Sequence, residues 1–99
     1  MSKHSIESQN ISTTTTITGN RCYLWGLIVE ADGTNNAIAT ALDGVGGDRK
    51  AKITTVGADF TYGFMCPKKP VRMLSGLHVV VSGTGASVDV FWEPWPGLS

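Results

Sequence analysis

The chain has 99 residues, of which 41% are hydrophobic, and its eight basic and eight acidic residues give a formal charge of zero. This length allows one domain with a modest core, and the apolar content excludes a wholly disordered chain. The neutral balance argues against a protein that binds nucleic acid by neutralising phosphates. No run approaches the roughly 20 apolar residues of a membrane span.

The first sixteen residues are mainly polar and predict an N-terminal arm, residues 1–16, that is flexible or docks onto a partner. Its start lacks the apolar centre of a secretory signal, so we expect expression in the cytosol. The segment Ile11–Thr18 is rich in β-branched residues, which favour extended backbone. It predicts an edge strand, or a strand that pairs with a neighbouring subunit.

A strong strand signal follows at Cys22–Val29. Strict alternation would place Tyr23, Trp25, Leu27 and Val29 on one face and leave apolar residues on the other as well. A strand covered on both faces is typical of the centre of a layered structure. The Asp32–Asn36 segment, with its glycine and asparagines, predicts a turn.

Two further strands are predicted on either side of a loop at Asp43–Asp48. In the first, Ala37–Leu42, we expect Ile38 and Leu42 to point inward, although the alanines also allow a short helix. The second, Arg49–Val56, alternates weakly and predicts an exposed strand.

The segment Asp59–Phe64 places Phe60, Tyr62 and Phe64 on one face, which predicts an aromatic contribution to the core. Pro67 and Pro70 then bracket a loop, because proline cannot donate to a strand ladder. A short strand is predicted over Val71–Leu74.

The last third of the chain predicts a β-hairpin, with strands within Gly76–Gly83 and Ala86–Trp92 joined by a Gly83-Thr84-Gly85 turn. In its second strand Val88, Val90 and Trp92 share one face. About eight short strands with turn signals every 8–12 residues predict an all-β fold, an antiparallel β-sandwich over 17–92 that is jelly-roll-like. Residues 93–99, with prolines around Trp95, are predicted to be a C-terminal tail.

No catalytic, cofactor or metal site is predicted. The Gly44–Lys50 loop lacks the Gly-Lys-Ser/Thr ending of a phosphate-binding loop. Turn chemistry accounts for Asp32 and its neighbours without calcium. Cys22 and Cys66 match no zinc spacing and are expected to be free thiols. His78 has no nucleophile or orienting acid of a known motif beside it.

Contact surfaces are the remaining candidates for function. Basic residues cluster in Arg49–Lys52 and Lys68–Arg72, and they either face an acidic partner or simply lie in solvent. The stiff segment around Trp95 either docks onto a partner or packs on its own domain. The interface candidates are Ile11, Ile17, Trp25, His78, Trp92 and Trp95.

The order of these elements resembles a known class of proteins. This order is similar to that of small virion proteins of tailed bacteriophages. The segments that carry the likeness are Thr18-Gly19, the apolar strand with a central glycine at Leu24–Val29, Asp32-Gly33, Leu42-Asp43-Gly44, the proline before Val71–Leu74, and Gly76–Gly83. The likeness covers roughly residues 17–92 and rests on strand spacing and the placement of glycine and aspartate.

The resemblance implies a structural role and no enzyme activity. Such β-sandwich or jelly-roll proteins serve as capsid decoration (cement) subunits, commonly as homotrimers that bind the major capsid protein and stabilise the head shell. It implies location on the capsid surface of a virion assembled in the host cytoplasm, with no cofactor, nucleic acid, membrane or small-molecule substrate as partner. A tail, fibre or baseplate accessory module, or a small carbohydrate-binding β-sandwich, remains an alternative.

Overall fold

A computed structural model describes residues 6–55, 62–65 and 69–94 of the chain. Within these ranges there are nine β-strands, and all their ladders are antiparallel. The strands are β1 Glu7–Ile11, β2 Thr15–Thr18, β3 Cys22–Glu30, β4 Ala37–Asp43, β5 Arg49–Thr55, β6 Tyr62–Met65, β7 Val71–Met73, β8 Leu77–Ser82 and β9 Ser87–Pro94.

The strands form a sandwich of two sheets. A five-stranded sheet has the order β1-β9-β3-β6, with β7 also paired to β3, and a four-stranded sheet has the order β2-β8-β4-β5. Strands β6 and β7 lie end to end along the same side of β3, so together they act as one interrupted strand. Early strands therefore pair with late ones in both sheets. The antiparallel β-sandwich confirms the fold class that the sequence predicted, whereas the strand order could not be predicted from local sequence.

The predicted hairpin at the end of the chain is wrong. Strand β8 pairs with β2 and β4, whereas β9 pairs with β1 and β3, so the turn at Gly83–Gly85 carries the chain from one sheet to the other. Gly83 has a φ of 110°, and a Cβ there would collide with the carbonyl oxygen of Asn36. A turn that connects the two sheets therefore requires glycine just as a hairpin turn does, and local sequence does not distinguish the two kinds of turn.

Residues 7–16 of the predicted arm are part of the sandwich. Strand β1 pairs with β9 from Glu7↔Trp92 to Ile11↔Val88, and Thr15 and Thr16 begin β2. Ile11 is only 6% exposed and belongs to the core. A mainly polar strand is stable here because it is an edge strand, which needs one buried anchor and a ladder rather than two apolar faces.

Strand β4 is turned the opposite way from the prediction. Ala37, Ala39 and Ala41 point into the core, and Ile38 and Leu42 are half-buried on the outer face. The small alanines leave room for the leucines of β3, which lies against β4 across the sandwich. Packing between the sheets, rather than the size of a side chain alone, thus sets the orientation of this strand.

Strict alternation also fails in β3, because the ladder with β9 contains a β-bulge. Leu24 pairs with Trp92 but Gly26 pairs with Phe91, so Trp25 is an extra residue. The inward positions are consequently Cys22 and Leu24 before the bulge, and Leu27 and Val29 after it. Tyr23 and Trp25, predicted to share a face with Leu27, point outward instead.

The core consists of the inward residues of both sheets. Its buried apolar members among the described residues are Ile11, Cys22, Leu24, Leu27, Val29, Ala31, Ala37, Ala39, Ala41, Met73, Leu77, Val79, Ala86, Val88 and Val90. Val88 and Val90 confirm the alternation predicted for the last strand. The predicted aromatic contribution of residues 59–64 lies outside the described side chains.

Candidate interaction surfaces

The outer face of the five-stranded sheet carries aromatic side chains around the bulge. Tyr23 and Trp25 of β3 and Phe91 of β9 are half-buried there. Phe91 is paired across the ladder with Gly26, which is buried although it has no side chain. We call Tyr23, Trp25, Phe91 and Glu93 the Trp25 face.

A buried carboxylate holds the indole of this face in place. The Nε1 of Trp25 donates a hydrogen bond of 3.1 Å to Oε1 of Glu93, a residue only 6% exposed. Tyr23 is the cross-strand partner of Glu93, so both leave the same face of the sheet. The face therefore combines apolar rings with an ordered polar group, a composition suited to a protein surface or a sugar ring.

Polar side chains continue this surface toward the N-terminal edge. The Nδ2 of Asn10 donates to Oδ1 of Asp89 at 2.8 Å and to Oγ of Ser87 at 2.9 Å. These bonds link β1 to β9 through side chains as well as backbone. They explain how a strand with exposed positions at Glu7, Ser8 and Gln9 keeps its register.

The outer face of the four-stranded sheet has an uncharged, partly apolar centre. Ile38 and Leu42 of β4 and Val80 of β8 are half-buried there, and His78 is the cross-strand partner of both Leu42 and Thr16. The Thr16 Oγ1 lies 2.8 Å from Nδ1 of His78, within hydrogen-bond distance. We call Thr16, Ile38, Leu42, His78 and Val80 the His78 face.

The predicted interface candidates are distributed over the whole molecule. Ile11 is in the core, and Ile17 and Trp92 are partly buried and pack against it. Within the described residues, the Nε1 of Trp92 is buried without a hydrogen-bond partner. Trp25 and His78 lie on the outer faces of different sheets. Trp95, Cys66 and Lys68 lie outside the described residues.

Sequence reasoning missed Ile38 and Leu42 as surface residues. The alternation of alanine with larger residues in β4 predicts a strand with one buried face, but the larger residues were expected on that face. Three alanines at every second position would have been the signal, because a strand opposite bulky leucines can present its small residues to the core.

Among the residues that the structure describes, no group of three or more histidine, cysteine, aspartate or glutamate side chains could hold a metal ion. The Asp32 carboxylate is occupied by its own turn: Oδ1 accepts bonds of 2.8 Å from the backbone N–H of Thr34 and Asn35. Hydrogen bonds from Asn35 and Thr34 hold the pKa of this carboxyl below its ordinary value of 3.8.

Cys22 is a free thiol in the core. Burial, and secondarily the nearby Asp43 carboxylate, raise the pKa of this thiol to about 11. A thiol that stays protonated is a poor nucleophile and a poor metal ligand.

No protein-family model, curated protein sequence or solved structure matches the chain. Over the described residues the structure has no helix long and apolar enough to cross a membrane.

Proposed function

We propose that the chain is a structural protein of a bacteriophage virion, a capsid decoration subunit. It forms a homotrimer and stabilises the head shell by binding the major capsid protein, without catalysis or a cofactor. The observation that supports this most is the interleaved strand order β1-β9-β3-β6 and β2-β8-β4-β5. Jelly rolls of this kind are used by viral capsid domains and by lectins. Because a fold hosts many functions, location in the particle is the deciding test.

The His78 face is the better candidate for contacts between subunits. Its centre is uncharged, and Ile38, Leu42 and Val80 contribute apolar area that an interface would remove from water. The Trp25 face contains the Glu93 carboxylate beside the aromatic rings. The cores of protein interfaces are depleted of charged residues, which makes the Trp25 face the less suitable of the two.

Several weak contacts can hold such a subunit on a shell. A closed trimer offers three copies of each contact, so the second and third contacts form at a high effective concentration. A neutral chain has little electrostatic repulsion between copies, which is compatible with self-association.

The first experiment is the solution mass of the purified protein by light scattering on a sizing column. We expect three times the monomer mass of 10.5 kDa. Ile38→Asp should shift the mass to that of the monomer, whereas Ile28→Asp, a matched change on the other sheet's outer face, should not. A monomeric wild-type protein at virion-like concentrations would refute the trimer.

The second experiment locates the chain in particles of the phage that encodes it. Mass spectrometry of purified virions should detect the protein, and cryo-electron microscopy should place its density on the head at threefold positions. Density on the tail, a fibre or the baseplate would support the accessory-module alternative. Absence from the particle would refute a virion role altogether.

A carbohydrate-binding β-sandwich is the second candidate, favoured by the aromatic rings of the Trp25 face. Trp92 packs against the core and is not part of this aromatic surface. Binding on a glycan array that is lost in Trp25→Ala and kept in His78→Ala would support this function. A blank array for the correctly folded protein would exclude it for the glycans tested.

A further inference from the structure

Two of the most exposed large apolar side chains lie on two loops that contact each other. Val45, on the loop between β4 and β5, is 75% exposed, and Leu74, on the loop between β7 and β8, is 55% exposed. The third exposed large apolar residue of the described ranges, Ile6, precedes β1 and lies outside these two loops. We call Val45 and Leu74, with the loops that carry them, the Val45–Leu74 tip.

The two loops are fastened to each other. Gly44 N donates to the carbonyl oxygen of Gly76 at 3.1 Å, and Ser75 N donates to Oδ1 of Asp43 at 2.6 Å. The backbones approach so closely that a Cβ on Gly44 would lie 3.0 Å from the Cβ of Ser75. Hydrogen bonds between the two loops restrict their backbones, which lowers the entropy cost of docking.

Exposed cations lie on the strands next to these two loops. Arg49 and Lys50 begin β5 directly after the first loop, and Arg72 precedes Leu74; all three are exposed. On the same segments Asp43 is engaged with Ser75, which leaves Asp48 as the exposed acid. The segments that carry the two apolar side chains thus have three cations, Arg49, Lys50 and Arg72, against two carboxylates, Asp43 and Asp48, although the whole chain is neutral.

We propose that the Val45–Leu74 tip docks into an apolar pocket bordered by acidic side chains on a different protein. The inference rests on the proposed function, under which that protein forms the shell. An isologous contact between two copies is disfavoured, because it would bring the same arginines and lysine together. Nucleic acid is disfavoured because the chain has no basic excess and the tip has no aromatic ring on which bases could stack.

The test measures binding of the purified protein to isolated head shells that lack it. The double variant Val45→Ser/Leu74→Ser should weaken shell binding about tenfold or more, because a few central residues carry most of the affinity of an interface. Ile6→Ser removes an equally exposed apolar side chain elsewhere and should leave binding unchanged. Charge reversal in Arg49→Glu/Arg72→Glu should weaken binding and reduce its dependence on salt.

The outcomes separate this inference from the proposed function. Failure of the wild-type protein to bind shells would overturn the shell role, and the tip's partner with it. Shell binding that survives Val45→Ser/Leu74→Ser would overturn the docking surface alone. A lower solution mass of that variant would instead identify a second copy as the occupant. If the wild-type protein bound phosphatidylserine vesicles and Val45→Ser/Leu74→Ser did not, the occupant would be a membrane. Either of these two results would overturn the proposal.

Discussion

Burial determines the chemistry of the Cys22 thiol. The side chain is fully buried, and its pKa is raised to about 11, so the reactive thiolate is scarce at pH 8. In a Cys66→Ser variant, which leaves a single thiol, we expect iodoacetamide to modify native Cys22 about a hundredfold more slowly than the urea-unfolded chain. Mass spectrometry follows the reaction. Equal rates in the two states would contradict the burial of this residue.

The turn at Asp32 makes stability depend on acid pH. Hydrogen bonds from Asn35 and Thr34 lower the pKa of the folded carboxyl below 3.8, so the ionised form stabilises the native state. This contribution is present above the unfolded pKa and is lost as the pH falls through the lower, folded pKa. We expect Asp32→Ala to lower the free energy of unfolding at pH 7, with the difference becoming smaller as acid protonates the carboxyl.

Asp32→Asn is the matched control for that comparison. An asparagine oxygen accepts the same backbone hydrogen bonds from Thr34 and Asn35 at every pH. Its stability relative to Asp32→Ala should therefore not change between pH 7 and acid. Urea titrations of the three proteins give the result. A gap between wild type and Asp32→Ala that is as large in acid as at pH 7 would refute the electrostatic explanation.

At the scale of the element, the orientation of β4 can be tested by overpacking. Ala39 is fully buried between its cross-strand partners Val81 and Ile53, so Ala39→Leu should lower the free energy of unfolding by about 1–3 kcal/mol. Thr40→Leu adds a leucine on the outer face and should change it by about 0.5 kcal/mol or less. If Thr40→Leu were the more damaging, β4 would face the way the sequence predicted.

Strands β3 and β4 mark the limit of what local sequence predicts. Their existence and their approximate bounds follow from apolar and β-branched runs between Gly and Asn turns. Which face is buried does not follow, because in β4 the choice depends on the leucines opposite it. In β3 the single extra residue Trp25 reverses the alternation, and a bulge is visible only in the ladder with β9.

For the same reason, the sequence predicts only part of the candidate interaction surfaces. Trp25 and His78 were predicted as contact residues and do lie on outer faces. Ile38 and Leu42 were assigned to the core, so the apolar centre of the His78 face was missed. The Val45–Leu74 tip depends on two loops separated by about thirty residues in the chain, joined by the Asp43–Ser75 hydrogen bond. No periodicity encodes that contact.

At the scale of the whole molecule, the strand order joins the two ends of the described chain. Strand β1 is paired with β9, and β9 is also the central partner of β3. Turns that appear local, such as Gly83–Gly85, therefore connect elements whose partners are far away in sequence. The N-terminal segment therefore contributes to the stability of the sandwich, in addition to any role in contacts with a partner.

Removal of residues 1–11 separates these two roles of the N-terminal segment. The truncation deletes β1, takes the 6%-exposed Ile11 out of the core and leaves the edge of β9 unpaired. We expect a loss of at least about 2 kcal/mol in the free energy of unfolding and aggregation through the open edge. Ile11→Ala alone should cause most of this loss in the free energy of unfolding, whereas Ser8→Ala, at an exposed position, should not. A truncated protein that melts like the full chain but no longer binds shells would mean that the segment acts solely as a docking arm.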